Sequence, residues 1–174
     1  MKMITTAFAI SVLASGLCMA AAPQLHVRKT ITIDASADKV WHLAKNFDGL
    51  NAWHPAVAKD EILEGSNDRV GAVRLLTLKG GGTVKEKLLG FDSSGRMFKY
   101  AILESVLPVS GYSSTFVVKS IGKDKASVTW SGRFQRKNLG DNPADNENDK
   151  TAVDTISGVY QSGLDNLKKV IEAQ

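Results

Sequence analysis

The ionisable residues Arg74 and Glu86 lie within apolar stretches of sequence, where charged groups are uncommon. Residues 83–89 alternate, with Glu86 among the apolar even positions, which predicts that Glu86 points into the core. If Gly80 is the centre of a three-residue hairpin loop, Arg74 lies directly opposite Glu86 on the same inner face. A two-residue loop would place Arg74 opposite Lys87 instead, a repulsive pair. The sequence therefore predicts an internal ion pair, which either satisfies only itself or also contacts a ligand.

Aromatic residues recur on the inner face of the strands that follow. By strand parity, the inward-facing rings are Phe98, Tyr100, Tyr112, Phe116, Trp130 and Phe134. The phenylalanines are typical of core packing. The polar atoms of Tyr100, Tyr112 and Trp130 need a hydrogen-bond partner when they are buried, so these three side chains are candidates either for the core or for a binding site.

The segment Trp53-His54-Pro55 follows two short predicted helices, and we expect it at the mouth of the inner face. A lone histidine is more often a satisfied core or surface residue than a ligand or a base. His26 and His42 have no metal-ligand spacing, so no metal site is expected. Nucleophile and phosphate-loop motifs are absent from the sequence, residues 80–82 are typical of a hairpin turn, and no cofactor is expected.

The chain has 174 residues, 43% of them hydrophobic, and a formal net charge of +4, which is typical of one globular domain. Residues 1–21 have a positive start, a short apolar run and small residues at the end, which predicts a secretory signal peptide and no membrane span. The only cysteine, Cys18, lies in that segment. We therefore expect residues 22–174 to form a thiol-free periplasmic domain. The charges show no basic stripe along the sequence, so nucleic acid is not an expected partner.

The order of elements predicts an α+β domain. A strand over residues 27–33 is followed by a helix capped by Ser36, a second short helical turn that ends at Pro55, and six strands separated by turn residues. A long amphipathic helix closes the chain, with Tyr160 on its apolar stripe. Gly158 and Gly163 inside it suggest a close approach or a space at those points. We expect a curved antiparallel seven-stranded sheet to wrap this helix and to enclose a cavity.

This arrangement resembles the START-like, or Bet v 1-like, helix-grip superfamily, and within it the polyketide cyclase/dehydrase and lipid-transport branch. The resemblance covers nearly all of residues 22–174. It rests on Val40-Trp41, Phe47, Leu50, Trp53-His54-Pro55, Gly71-Ala72-Val73-Arg74, Glu86-Lys87-Leu88, Tyr100, Pro108, Tyr112, Trp130, Tyr160, Gly163, Leu164 and Leu167. It implies a helix-grip fold with a deep hydrophobic cavity, and polar groups of Arg74, Glu86 and Tyr112 facing a bound molecule. The exported chain is also similar to the periplasmic accessory proteins of bacterial methanol oxidation.

Three functions from different classes fit these observations. The first is a periplasmic protein that binds a small apolar or amphipathic molecule through Trp53, His54, Arg74, Glu86, Tyr100, Tyr112, Trp130 and Tyr160. The second is an accessory protein of a periplasmic dehydrogenase and its cytochrome. The third is a cyclase or dehydratase in which Glu86 or His54 is the general base and Arg74 or Tyr112 stabilises an enolate. Pairing with Arg74 would lower the pKa of Glu86 and weaken it as a base, so whether the protein is an enzyme stays open.

Overall fold

The computed structural model describes residues 22–174, so the predicted signal peptide lies outside the described residues. A seven-stranded antiparallel sheet has the strand order β1-β7-β6-β5-β4-β3-β2. Its strands are β1 (Leu25–Ile33), β2 (Val57–Glu64), β3 (Val73–Leu78), β4 (Thr83–Asp92), β5 (Met97–Ser105), β6 (Val109–Gly122) and β7 (Lys125–Arg136). The predicted α+β architecture is confirmed.

Two short helical segments follow β1, as the sequence predicts. Helix α1 spans Ala37–Ala44, and the hydroxyl of its N-cap Ser36 accepts a hydrogen bond from the Lys39 amide at 3.3 Å. A single 3-10 turn spans Leu50–Ala52 and brings Trp53 and His54 under the sheet. These two residues are 2% and 3% exposed, so their expected place at the mouth is wrong. The reason is that the Trp53 ring packs in tilted contacts against the core rings of Phe116 and Trp130, where burial of a large apolar surface is most favourable.

The long helix α2 spans Asp149–Glu172 and packs its apolar stripe on the sheet. Its N-cap Asn148 accepts a hydrogen bond from the Thr151 amide at 2.9 Å. The buried stripe consists of Ala152, Ile156, Tyr160, Gly163, Leu164, Leu167 and Ile171. None of the helices within residues 22–174 is long and apolar enough to cross a membrane.

The two glycines of α2 have different surroundings. A Cβ atom on Gly163 would lie 2.6 Å from the His54 ring and 2.9 Å from the Trp130 ring, so the helix approaches the sheet closely there. Gly158 is exposed and has nothing within 4 Å of the same position. Of the two expected alternatives, a close approach or a space, the close approach applies to Gly163 and open space surrounds Gly158.

Candidate functional site

The internal ion pair of Arg74 and Glu86 is confirmed. The β3–β4 hairpin pairs Arg74 directly with Glu86, in the register that a loop centred on Gly80 produces. Arg74 Nε and Nη2 donate to Glu86 Oε2 at 2.8 and 2.7 Å, and the two residues are 2% and 5% exposed. The guanidinium carbon also lies 4.1 Å from the centre of the Phe47 ring. The guanidinium is thus held by the Glu86 carboxylate on one side and by the Phe47 ring on another.

A third charged residue, Asp60, belongs to this cluster and was missed by sequence reasoning. Its Oδ2 lies 3.3 Å from Arg74 Nη1 and accepts a hydrogen bond from the Leu50 amide at 3.0 Å. Its side chain is fully buried, and its Oδ1 has no hydrogen-bond partner among the described residues. Two carboxyl groups therefore share one guanidinium.

Burial dominates the ionisation of this cluster. It raises the pKa of Glu86 and of Asp60 above their usual values, although Arg74 acts in the opposite direction on both. Burial alone would lower the pKa of Arg74, but attraction to Glu86 and Asp60 raises it. With both carboxyl groups ionised, the cluster carries one excess negative charge.

A chain of hydroxyl groups lies beside the cluster, between the sheet and α2. Tyr112 bonds to Tyr160 at 2.5 Å, and Tyr160 bonds to Ser114 at 2.9 Å. Tyr100 lies 3.4 Å from Tyr112 and accepts a hydrogen bond from Trp130 Nε1 at 3.0 Å. Burial raises the pKa of all three tyrosines above the ordinary value, so these phenols stay protonated.

His54 is bonded on both sides of its ring. Nδ1 accepts a hydrogen bond from the Ala56 amide at 3.2 Å, which requires the proton on Nε2, and Nε2 then donates to the Val159 carbonyl at 3.1 Å. Burial lowers the pKa of His54, the bond to Val159 opposes this, and Arg74 adds to the lowering. Both ring nitrogens of His54 are therefore engaged, and the Nδ1 lone pair that a base would use already accepts the Ala56 N–H.

The sheet and α2 enclose an apolar cavity of about 80 Å³. This is far below the roughly 300–1,000 Å³ of usual ligand pockets, so the deep cavity implied by the resemblance is wrong in size. The cause is that aromatic side chains fill most of the interior. The lining residues are Leu50, His54, Ala56, Val57, Leu76, Leu78, Val84, Glu86, Tyr100, Ile102, Leu107, Tyr112, Trp130, Ile156 and Val159.

Five of the eight predicted site residues line this cavity, namely His54, Glu86, Tyr100, Tyr112 and Trp130. Trp53, Arg74 and Tyr160 lie directly behind them. Arg74 bonds to Glu86, Tyr160 stacks on Trp130 with ring centres 4.6 Å apart, and Trp53 packs against His54. They support the wall of the cavity rather than form it.

The outer face of the sheet carries a second feature. The register aligns Arg28, Ser131, Thr115 and Lys99 in one row across four strands, and Arg133 lies in the neighbouring row. Arg28, Lys99, Lys119 and Arg133 are exposed and form no salt bridge with any residue of 22–174. We call these four residues the basic face. The expectation of no basic stripe is therefore wrong, because strand alternation separates these cations from the carboxylates.

No group of three or more metal-ligating side chains occurs within residues 22–174. The polar groups of the cavity are instead one carboxyl group, two phenols, an indole and an imidazole. Such an arrangement binds or positions a small molecule by hydrogen bonds within an apolar enclosure.

Comparison with known proteins assigns the family. The sequence model of the polyketide cyclase / dehydrase and lipid transport family matches residues 24–172, and the chain belongs to that family. No curated protein sequence matches the chain.

Solved structures share the fold. An uncharacterised protein from Bacillus thuringiensis is 29% identical with a TM-score of 0.74, and the match covers 84% of this chain and 98% of that one. The protein XoxI from Bacillus cereus is 29% identical with a TM-score of 0.73, over 84% and 94% of the two chains. The Zhui aromatase/cyclase from Streptomyces sp. R1128 is 21% identical with a TM-score of 0.70, over 86% and 94%. This last likeness concerns the fold alone.

Proposed function

We propose that this protein binds a small, largely apolar molecule in the cavity between its sheet and α2. The observation that carries the proposal is the enclosed space of about 80 Å³, which is apolar except for a few converging polar groups. An apolar cavity of roughly twice this size takes up benzene or xenon in another protein. The predicted signal peptide supports the periplasm as its compartment.

The partly exposed lining residues mark the route into the cavity. Leu78, Leu107 and Val159 are half-buried and Ala56 is exposed, whereas the polar lining residues lie deeper. A ligand would therefore enter past apolar side chains and meet Glu86 and the tyrosines at the inner end.

Xenon is a suitable probe, because it is apolar and small. We expect dissolved xenon to shift the NMR signals of the Val84, Ile102 and Leu107 methyl groups. Leu107→Trp should block the Val84 and Ile102 shifts by filling the opening, whereas Leu89→Trp, on the outer sheet face, should leave them intact. Unchanged methyl signals in the unaltered protein under xenon pressure would refute ligand binding at this cavity.

The basic face supports a second candidate function, an accessory role toward an acidic periplasmic redox enzyme. The face places four exposed cations among Ser and Thr hydroxyls. The positions of β1, β6 and β7 that point to the same outer side of the sheet carry no carboxylate, and neither do those of β5 between Met97 and Ala101. These positions carry no Phe, Tyr or Trp ring on which nucleic acid bases would stack. An acidic protein surface is the partner that this chemistry favours.

This role can be tested with the dehydrogenase purified from the periplasm of the same host. Arg28→Glu/Lys99→Glu should weaken its association at least tenfold, and salt should weaken the unaltered complex. Lys39→Glu/Lys169→Glu makes the same charge change on the helices and serves as the control. Equal affinities of the two double variants, or tighter binding to DNA than to the dehydrogenase, would contradict the proposal.

The geometry gives less support to a cyclase or dehydratase. His54 has no free nitrogen, and all three Arg74 nitrogens are already bonded to Glu86, Asp60 or the Phe47 carbonyl. Of the Arg74 N–H groups only the second one on Nη2 has no partner among residues 22–174, and Arg74 lies behind the cavity wall, so a developing enolate would find little stabilisation from these groups.

A further inference from the structure

The polar atoms around the cavity determine which end of a ligand they can bind. A buried donor or acceptor that already has a partner gains little from a ligand, whereas an unpartnered one gains a full hydrogen bond. The polar lining residues are His54, Glu86, Tyr100, Tyr112 and Trp130. Each can be followed to its present partner.

The N–H donors of the lining are occupied. His54 Nε2 donates to the Val159 carbonyl at 3.1 Å, because the Ala56 amide requires Nδ1 to accept. Trp130 Nε1 donates to the Tyr100 oxygen at 3.0 Å. Neither ring has a second N–H group to offer.

The direction of the hydroxyl chain follows from its last member. Ser114 donates its only proton to the Ser131 carbonyl at 2.9 Å, since a carbonyl oxygen can only accept. Ser114 must therefore accept from Tyr160, and Tyr160 must accept from Tyr112. The Tyr112 proton is thus used, so Tyr100 donates to Tyr112 across the longer gap of 3.4 Å. Every hydroxyl proton points along the chain toward Ser131.

Apart from the Tyr100 proton, which is only weakly bonded at 3.4 Å, the remaining hydrogen-bonding capacity is that of an acceptor. Glu86 Oε2 accepts both bonds from Arg74, while no donor among residues 22–174 bonds to Oε1. The neighbouring Asp60 adds a second carboxyl group to the same single guanidinium. The excess of carboxyl groups disfavours an anionic ligand and favours a donor.

We infer that the cavity selects molecules with a hydrogen-bond donor, a hydroxyl or an ammonium group, on a short alkyl chain, and that this donor binds Glu86. The inference rests on the proposed function and specifies its ligand class. The cavity of about 80 Å³ is about half the size of one that takes the six carbon atoms of benzene, so it holds about three non-hydrogen atoms. Ethanol and ethylammonium have this size, and a longer chain would extend toward Leu107 and Val159. So few atoms limit the affinity to the millimolar range.

The test compares two-carbon ligands with different polar ends. Ethanol, ethylammonium and acetate are titrated into the protein, and the methyl signals of Val84 and Ile102 and the Trp130 indole N–H signal are followed by NMR. We expect ethanol or ethylammonium to reach half-saturation at a concentration at least tenfold lower than acetate does. Whichever of ethanol and ethylammonium binds more tightly shows whether the preferred donor group is neutral or charged.

A variant assigns the binding to Glu86. Glu86→Gln keeps the shape of the side chain but removes its charge and presents an amide, so it should weaken ethanol or ethylammonium binding at least tenfold and leave xenon binding unchanged. Glu104→Gln makes the same chemical change at an exposed position of β5 outside the cavity lining, and it should change donor binding less than threefold. If Glu86→Gln fails to fold, the ligand comparison with the unaltered protein decides by itself.

The results separate the inference from the proposed function. Xenon uptake together with equal or stronger binding of acetate would overturn the donor selectivity and leave the cavity proposal intact. Absence of both xenon and ethanol effects would overturn both. Shifts by ethanol that Glu86→Gln does not weaken would refute the role of Glu86.

Discussion

Replacing Gly163 by alanine tests whether α2 is packed directly on the site, and Gly158 in the same helix provides the matched control. At position 163, a Cβ atom would lie 2.6 Å and 2.8 Å from His54 ring atoms and 2.9 Å from the Trp130 ring. All three atoms belong to buried, bonded rings that have little freedom to move. At position 158, nothing lies within 4 Å.

Two effects oppose each other at Gly163 and only one acts at Gly158. Alanine in a helix interior is favoured over glycine by about 1 kcal/mol, so Gly158→Ala should raise the free energy of unfolding by that amount. Gly163→Ala has the same gain but adds a steric cost of about 1–3 kcal/mol, because extra volume is forced into a filled core. The two variants should therefore differ by about 1–3 kcal/mol, with Gly163→Ala the less stable.

Urea unfolding followed by tryptophan fluorescence measures this difference, with equal m-values required for the comparison. The Trp130 indole N–H signal should move in Gly163→Ala and stay in place in Gly158→Ala. If both variants gain the same stability, the close approach of α2 to His54 and Trp130 is refuted.

Three further changes test the cluster, the histidine and the hydroxyl chain. Glu86→Ala should lower the free energy of unfolding by about 3 kcal/mol. This is near the lower end of the cost of breaking a buried ion pair, because Asp60 still pairs with Arg74. A loss below 1 kcal/mol in urea unfolding would contradict this prediction. Because burial lowers the pKa of His54 below 6.5, the unfolded chain binds more protons just below that pH, so stability should fall as the pH falls through 6.5. Urea unfolding at several pH values should show a smaller fall in the free energy of unfolding for His54→Gln than for the unaltered protein. If both proteins lose the same stability per pH unit, His54 is not the source of the pH dependence. Tyr160→Phe should cost about 1–3 kcal/mol, because the Tyr112 proton loses its acceptor, and a neutral effect in thermal unfolding would speak against the chain.

Asp60 shows why part of the site was beyond sequence reasoning. Strand β2 has register shifts between Val57 and Lys59 and between Ile62 and Glu64, so strict alternation fails along it. Val57 and Asp60, three residues apart, are both buried as a result. A parity argument places one of them outside, whereas β4 keeps its alternation around Glu86 and gave the correct face.

The size of the cavity and the basic face were also inaccessible from the sequence. Inward-facing rings were identified correctly, but whether they fill the interior depends on how their volumes fit together across strands and α2. The basic face arises because Arg28, Lys99 and Arg133 are distant in sequence and meet only through strand pairing.

The sequence alone determined the elements, their order and the opposition of Arg74 and Glu86, because strand alternation and hairpin length are local properties of the chain. Tertiary structure decided that Asp60 joins that pair, that the tyrosine protons run in one direction, and that only about 80 Å³ stays empty. These features depend on contacts between segments far apart in sequence and on the balance of side-chain volumes, which no local pattern contains.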